Sequence, residues 1–310
     1  MKLNRLISLM IKETIGFLFL RLGGIYFLKY RLKDQPYLVI LNYHNFSEYN
    51  NYKLNRGKTL KSGYGSNFNK QIRFLKKHFK FSYPNEFFGD KTTSGIHILL
   101  TFDDGYKDNY DIAFPILKKQ NVKVIFFIVT HIIGTSDWLT HDKLRFLVEK
   151  KYKREKEVEA ALKRMNQGHS IETWIKQNEK LIETSEQRVM MNWEEVKEID
   201  KYGFKIAPHT HQHSILSFLD YTKQEDEIQT SIETLESKLQ KPCNYFAYPN
   251  GLYNADSLKI LNKSAIQYGF TTQPGFNVQE NTPLELKRLG VNASDSIGVL
   301  LLKLYLNRKK

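Results

Sequence analysis

Two short stretches of the 310-residue chain hold side chains that could do chemistry together. The first is Thr101-Phe102-Asp103-Asp104-Gly105, and the second, roughly a hundred residues later, is Pro208-His209-Thr210-His211-Gln212-His213. Adjacent carboxylates repel, so an Asp-Asp pair needs a cation or a proton between its members, or separate partners for each. The second stretch packs three of the chain's nine histidines into five residues. His209 and His213 are four apart, which in a helical turn would set both imidazoles on one face, within reach of one metal ion. One carboxylate, Asp103 or Asp104, completes a set of two His and one Asp that leaves positions for water and substrate. The other carboxylate then lies near a water acidified by the cation and is a ready general base, an arrangement suited to hydrolysis. Taken alone, Asp-Asp-Gly reads as a turn with a helix cap and the histidines as an exposed polar loop. Together the two stretches favour the metal site.

The elements around these residues place both stretches at strand ends. Ile96 to Phe102 is apolar enough for a buried strand, and Asn109 to Lys119 has helical spacing, so the Asp pair sits on a strand-to-helix turn. The histidines directly follow a strand over Phe204 to Ala207. In α/β folds the carboxyl ends of parallel strands collect ligands and catalytic groups, because their loops share one mouth. Further strands are expected over Tyr37 to Tyr43, which leads into His44, and over Val122 to Val129, Asn244 to Tyr248, Gly269 to Thr272 and Leu286 to Val291. Helices are expected over Phe68 to Phe79, Trp193 to Tyr202, Thr222 to Lys238 and Ala255 to Ser264, with a loop over Phe46 to Tyr64 and a break at Pro84. Residues 140–192 are charged, with Glu interleaved among Lys, and are expected as a helical insertion with a solvated face. About seven strands alternating with helices over residues 36–295 argue for a barrel-like α/β domain.

The two stretches resemble the first two motifs of the polysaccharide deacetylases with the NodB homology domain, carbohydrate esterase family 4. The resemblance covers roughly Tyr37 to Val291 and implies a distorted (β/α) barrel of fewer than eight complete units. It implies Asp103 as general base, and Asp104, His209 and His213 as ligands of a divalent metal, usually zinc. A loop of the type Arg-x-Pro-Tyr supplies an oxyanion-holding N–H in many members. Here the stretch is Phe246-Ala247-Tyr248-Pro249-Asn250-Gly251, with Ala247 in the Arg position and Asn250 the candidate N–H. The Arg that orients the base must then come from elsewhere, and Arg288 is the candidate. No His follows His213, so the family's late general-acid His is missing, and His44, at the end of the first strand, is the candidate to fill that role. This is similar to the circularly permuted branch, which includes deacetylases of exported poly-N-acetylglucosamine. The implied reaction removes N-acetyl groups from the amino sugars of a surface polysaccharide, with Tyr43, Tyr248, Pro249 and Trp193 expected against the sugar. An esterase or amidase acting on another acyl group, and an inactive carbohydrate-binding member, remain alternatives.

Composition bounds the setting. A hydrophobic content of 41% with 20 Phe and 18 Tyr supplies a sizeable core, and the single cysteine, Cys243, excludes an internal disulfide. The net charge of +14 favours anionic partners, but no nucleic-acid module is visible, so nucleic acid is not expected. Residues 1–35 interleave Leu, Ile and Phe with charges. Lys12-Glu13 breaks the apolar core that a secretory signal needs, and no stretch is long enough to span a bilayer. An amphipathic helix lying on an anionic membrane face is expected instead, which would make the protein peripheral to a membrane or the cell envelope. Residues 296–310 are expected as a basic tail.

Overall fold

Strands with almost no polar residue must be covered on both faces. In the computed structural model, which describes residues 2–46, 64–149, 155–166, 174, 177–178 and 188–308, they are. The strands are β1 (Tyr37–Tyr43), β2 (Lys80–Phe81), β3 (Ile96–Phe102), β4 (Val124–Ile128), β5 (Lys205–Pro208), β6 (Tyr245–Ala247), β7 (Tyr268–Phe270) and β8 (Leu289–Gly290). A six-stranded sheet runs β5-β4-β3-β1-β8 with β2 added to β3, and β6 pairs with β7. All of these pairings are parallel. A bridge from Phe270 to Leu286, just ahead of β8, carries the circuit on to β7 and β6. A ring therefore forms, with its open seam between β6 and β5.

The alternation of side chains explains the shape. Leu38 and Ile40 of β1, Leu99 of β3, Ile125 and Phe127 of β4, Ala207 of β5, Tyr245 and Ala247 of β6 and Phe270 of β7 form one core inside the ring. Their neighbours, including Val39, Leu41, Ile98, Leu100, Val124, Phe126 and Phe246, form a second core beneath the helices. The helices are α1 (Lys2–Arg21), α2 (Gly24–Arg31), α3 (Tyr64–His78), α4 (Pro84–Gly89), α5 (Phe114–Gln120), α6 (Thr140–Glu149), α7 (Glu155–Asn166), α8 (Trp193–Tyr202), α9 (Tyr221–Leu239), α10 (Ala255–Asn262) and α11 (Ile297–Asn307).

Several expectations need correction. Pro84 does more than break a helix: it occupies the first turn of α4, where its missing N–H is no loss. The helix expected from Asn109 opens with a π-helical turn over Asn109–Ala113 before α5. Residues 297–307, expected as tail, are a helix with Val299, Leu300, Leu301 and Leu304 buried, because its seven aliphatic residues outweigh Lys303 and the cations that follow. The N-terminal segment is two helices, α1 and α2, parted at Gly23, whose φ of 80° a side chain would resist. The loop expected over Phe46 to Tyr64 falls almost wholly outside the described residues. Of the insertion, α6 and α7 are described and helical.

Candidate active site

The inward-facing rows of the ring turn polar at their carboxyl ends. In β1 the row Leu38, Ile40 continues as Asn42, and in β3 Leu99 is followed by Thr101 and then Asp103, which lies just beyond the strand. Ala207 of β5 is followed by His209, and Leu286 by Arg288. Register brings them together, since Asn42 of β1 pairs with Thr101 of β3. Asp103 and Arg288 are then neighbours in the mouth, both almost fully buried. Arg288 Nη1 donates to Asp103 Oδ1 at 2.7 Å and Nη2 to Oδ2 at 2.8 Å, while its Nε donates to the Thr271 carbonyl at 2.7 Å. Asn42 Nδ2 donates to Asp103 Oδ2 at 3.0 Å. Burial works against the Asp103 carboxylate, but the Arg288 charge, with His209 and His44 behind it, outweighs that and holds its pKa below the ordinary value.

Asp104 faces a different set of partners because the backbone turns sharply there. Asp104 has φ 78° and Gly105 φ 89°, and a Cβ on Gly105 would meet Ile133 Cδ1 at 2.9 Å. That turn lets two adjacent carboxylates enter one mouth. Asp104 Oδ1 lies 3.3 Å from His213 Nε2 and 3.7 Å from His209 Nε2. His209 Nδ1 is 2.8 Å from the Ala247 carbonyl, which can only accept, so Nδ1 carries the proton and the Nε2 lone pair faces Asp104. The same bond ties the end of β5 to β6 across the open seam. Burial pushes His209 down to about 4, so it is neutral, as a ligand must be. Burial opposes charge on His213 too, but its bond to Asp104 outweighs this and lifts its pKa, while Asp104 is held well below the usual range. One donor atom from each of Asp104, His209 and His213 lies within 4.8 Å of the others. A carboxylate and two imidazoles, with His209 oriented by its bond to the Ala247 carbonyl, fit a divalent cation.

The histidines do not converge through a helical turn, as their spacing alone suggested. The segment after β5 is an irregular loop with Thr210 at φ 60° and His213 at φ 62°, and it sets the rings 5.0 Å apart. Glu227 of α9 braces it, accepting from His211 N at 3.0 Å, Gln212 N at 2.9 Å and Ser214 Oγ at 2.8 Å. Among the described non-glycine residues with left-handed backbone, Asn121 and Gln240 cap helices, while Asp104, Thr210, His213 and Asn250 sit in the loops of the mouth. Such strain gathers where surrounding structure overrides it.

His44 follows β1, with its Nε2 3.9 Å from Asp103 Oδ2 and its side chain 51% exposed against 2% for Asp103. Two residues that sequence reasoning missed hold its loop: Asn109 Nδ2 donates to the His44 carbonyl at 2.8 Å, and Asp108 Oδ2 accepts from Phe46 N at 2.8 Å. Asp108 is pushed up to about 7, chiefly by burial. His141, at the start of the insertion, was also missed: its ring lies 5.6 Å from that of His213. Tyr106 Oη donates to Asp142 at 2.9 Å and lies 3.0 Å from His141 Nε2.

Three of the four residues expected against a sugar are corrected by their burial. Tyr43 alternates with inward Asn42 and so points outward, its hydroxyl donating to Gln71 of α3 at 2.9 Å. Tyr248 is fully buried, donates to the Leu284 carbonyl at 2.9 Å and stacks on Tyr253. Pro249 is buried in the turn after β6. Trp193 opens α8, packs on the outer core and lies under Lys238 Nζ, 5.5 Å from its ring centre. Tyr43, Tyr248 and Pro249 are thus buried away from any substrate surface, while Trp193 is half-buried. Asn250 is at the exposed corner of its loop, its carbonyl accepting from Thr272 Oγ1 at 2.8 Å.

Comparison with known proteins agrees with this geometry. Residues 90–269, more than half of the chain, match the family model described as polysaccharide deacetylase. The chain is 27% identical over 203 residues to the Bacillus subtilis strain 168 protein YxkH, over 66% of this chain and 54% of that one. It is 27% identical over 218 residues to a poly-beta-1,6-N-acetyl-D-glucosamine N-deacetylase of Staphylococcus epidermidis, over 66% and 60%. The matched part thus spans less than two thirds of either relative. The fold is shared with deacetylase PplD of Streptococcus pyogenes in complex with acetate, at a TM-score of 0.59 and 21% identity over 86% of this chain and 98% of that one. It is also shared with IcaB from Ammonifex degensii, at 0.57 and 21% over 87% and 99%. With its Asp pair, its two histidines and its ring of parallel strands all inside that likeness, the chain belongs to the polysaccharide deacetylase family.

Proposed function

We propose that this chain hydrolyses N-acetyl groups from a poly-N-acetylglucosamine-type polysaccharide, releasing acetate and leaving free amines. The observation that carries the reading is one carboxylate with two neighbours: Asp103, gripped by Arg288 and 3.9 Å from His44, stands beside the donors of Asp104, His209 and His213. Asp104, His209 and His213 would hold a divalent cation, zinc being best suited to two imidazoles and a carboxylate, and when bound it would supply Lewis acidity toward the acetamide carbonyl and water. Asp103 accepts the proton of the attacking water, and Arg288 and Asn42 keep its two oxygens ionised and aimed. The backbone N–H of Asn250 is the chain's own donor toward the developing oxyanion. His44, at the solvent edge of the mouth, hands its proton to the departing amine. The name of the Staphylococcus epidermidis relative supports a β-1,6-linked glucosamine polymer as the substrate class.

The test is acetate release from β-1,6-linked N-acetylglucosamine oligosaccharides, alongside chitin-type oligosaccharides and simple acyl esters, with zinc added or removed by a chelator. Zinc-dependent release from the first, abolished by Asp103→Asn, is expected. Full activity of Asp103→Asn would overturn the mechanism. Release only from the esters would overturn the substrate.

A further inference from the structure

A helix that is apolar on both sides needs a partner on both sides, and among the described residues α1 has protein on only one of them. Its inward side carries Gly16, which lies against Gly298 of α11 so closely that a Cβ there would stand 2.6 Å from the Gly298 carbonyl carbon. Counting about 100° per residue around the helix, Ile11, Ile15, Leu18 and Leu22 form one stripe, roughly 100–160° round from Gly16. All four are exposed, Leu22 by 84%, and Met10 and Phe17 extend the patch. Helix α2 continues the character with Tyr26 at 76% and Tyr30 at 63%, one turn apart, and with Phe27 beside them.

The polar groups of this surface are almost all cations. Between Met10 and Lys33 the chain has Lys12, Arg21, Lys29, Arg31 and Lys33 against the one carboxylate Glu13. The cations sit among the aromatics: Arg21 is 5.3 Å from the Phe17 ring centre, Arg31 is 5.8 Å from that of Phe27, and Lys33 Nζ is 4.6 Å from that of Tyr30. At the foot of α2, Arg31, Lys33 and Arg308, with Asp34 the carboxylate among them, line a cleft beside Tyr30. Exposed aliphatics flanked by Tyr, Phe, Lys and Arg match the layering of a bilayer surface, where chains, interface and anionic headgroups succeed one another. No described helix is long and apolar enough to cross a membrane. A second copy of the chain fits this face poorly, because a two-fold pairing would set like cations against each other.

We propose that the outer face of α1 and α2 docks the enzyme in the plane of an anionic lipid bilayer, with Ile11, Ile15, Leu18 and Leu22 inserted and Arg21, Arg31 and Lys33 at the headgroups. The full chain is sedimented with vesicles of phosphatidylcholine alone and of phosphatidylcholine mixed with phosphatidylglycerol. Binding is expected to the anionic vesicles and to weaken with salt. Each inserted aliphatic is worth about tenfold in partitioning, so Ile15→Gln with Leu18→Gln lowers binding about a hundredfold. Each interfacial cation is worth about fivefold, so Arg31→Ala with Lys33→Ala lowers it about twenty-five-fold. All four positions are exposed, so the melting temperatures of these variants should match the parent's. Failure to bind either vesicle, equal binding to both, or binding unchanged in the variants would each overturn the proposal. So would vesicle-free self-association that Ile15→Gln with Leu18→Gln removes, which would make the face an interface between copies.

Discussion

The Asp103–Arg288 pair allows the sharpest test, because its stability and activity consequences separate. Both side chains are at most 2% exposed and are joined by two charge-assisted bonds, the shorter at 2.7 Å. Removing one partner leaves the other charge buried and uncompensated, at a cost of about 3–5 kcal/mol. Arg288→Met also strands the Thr271 carbonyl, which accepts from Arg288 Nε, and that adds about 1–3 kcal/mol. Against a usual total of about 5–15 kcal/mol, either change is large. Asp103→Asn with Arg288→Met removes both charges, so only the carbonyl and packing terms remain, and its loss should fall short of the sum of the singles by about 3 kcal/mol or more. Urea unfolding of the parent, both singles and the double reads this directly, provided the slope against denaturant stays constant. Acetate release should be lost in all three variants, so the double regains stability without activity. Additivity of the singles to within about 0.5 kcal/mol, or an Arg288→Met as stable as the parent, would refute the reasoning.

Four further outcomes are expected. Asp108 has its pKa raised from 3.8 to about 7 in the folded chain, so the native state binds that proton more tightly than the unfolded one; stability from this group is full below about pH 4 and is lost as pH rises through about 7, an effect of at most about 4 kcal/mol. Asp108→Asn should flatten urea-measured stability across that window, and an unchanged slope would sink the assignment. Calorimetric titration of the metal-free chain with zinc should show one site that vanishes in His209→Ala and Asp104→Asn, and zinc at about a hundred times its dissociation constant should stabilise the parent by about 2.7 kcal/mol. His44→Ala should lower amide hydrolysis about 10²–10⁴-fold yet spare acyl substrates with good leaving groups, which need no proton; equal losses on both would remove His44 from the proton-donor role. Gly16→Leu places its Cβ against the Gly298 and Val299 backbone, so amide exchange should quicken in α1 and not in β3 or β4, and unaltered protection of α1 would show that the contact is not needed.

What the sequence made legible follows from which signals are local. Asp103, Asp104, His209 and His213, which the structure brings together, could be singled out because they follow apolar runs whose ends are visible in the chain, and strand ends in a parallel ring share one mouth. Asn42 was within reach of the same logic: counting by twos from Leu38 through Ile40 puts it in the inward row, and the same count sends Tyr43 outward, away from any sugar. Counting from Leu286 likewise turns Arg288 inward, but its grip on Asp103 needs the closure of the ring through Phe270, a pairing between distant residues. The loop geometry of His209 to His213 could not be read at all, since Thr210 and His213 are left-handed against local preference and the loop between them is held from α9, by Glu227. His141 reaches the rim from an insertion whose charge pattern advertises only a solvated helix. The tail was misjudged for a related reason: the cations of residues 296–310 are evident in sequence, whereas the glycine pair that seats α11 on α1 becomes meaningful only when Gly16 and Gly298 are in contact. That contact also decides which side of α1 is left facing outward. The same pair of glycines that turns an expected tail into core therefore exposes the apolar stripe of α1, and a helix docked in this way has its outer face available to a membrane without unfolding any part of the catalytic ring.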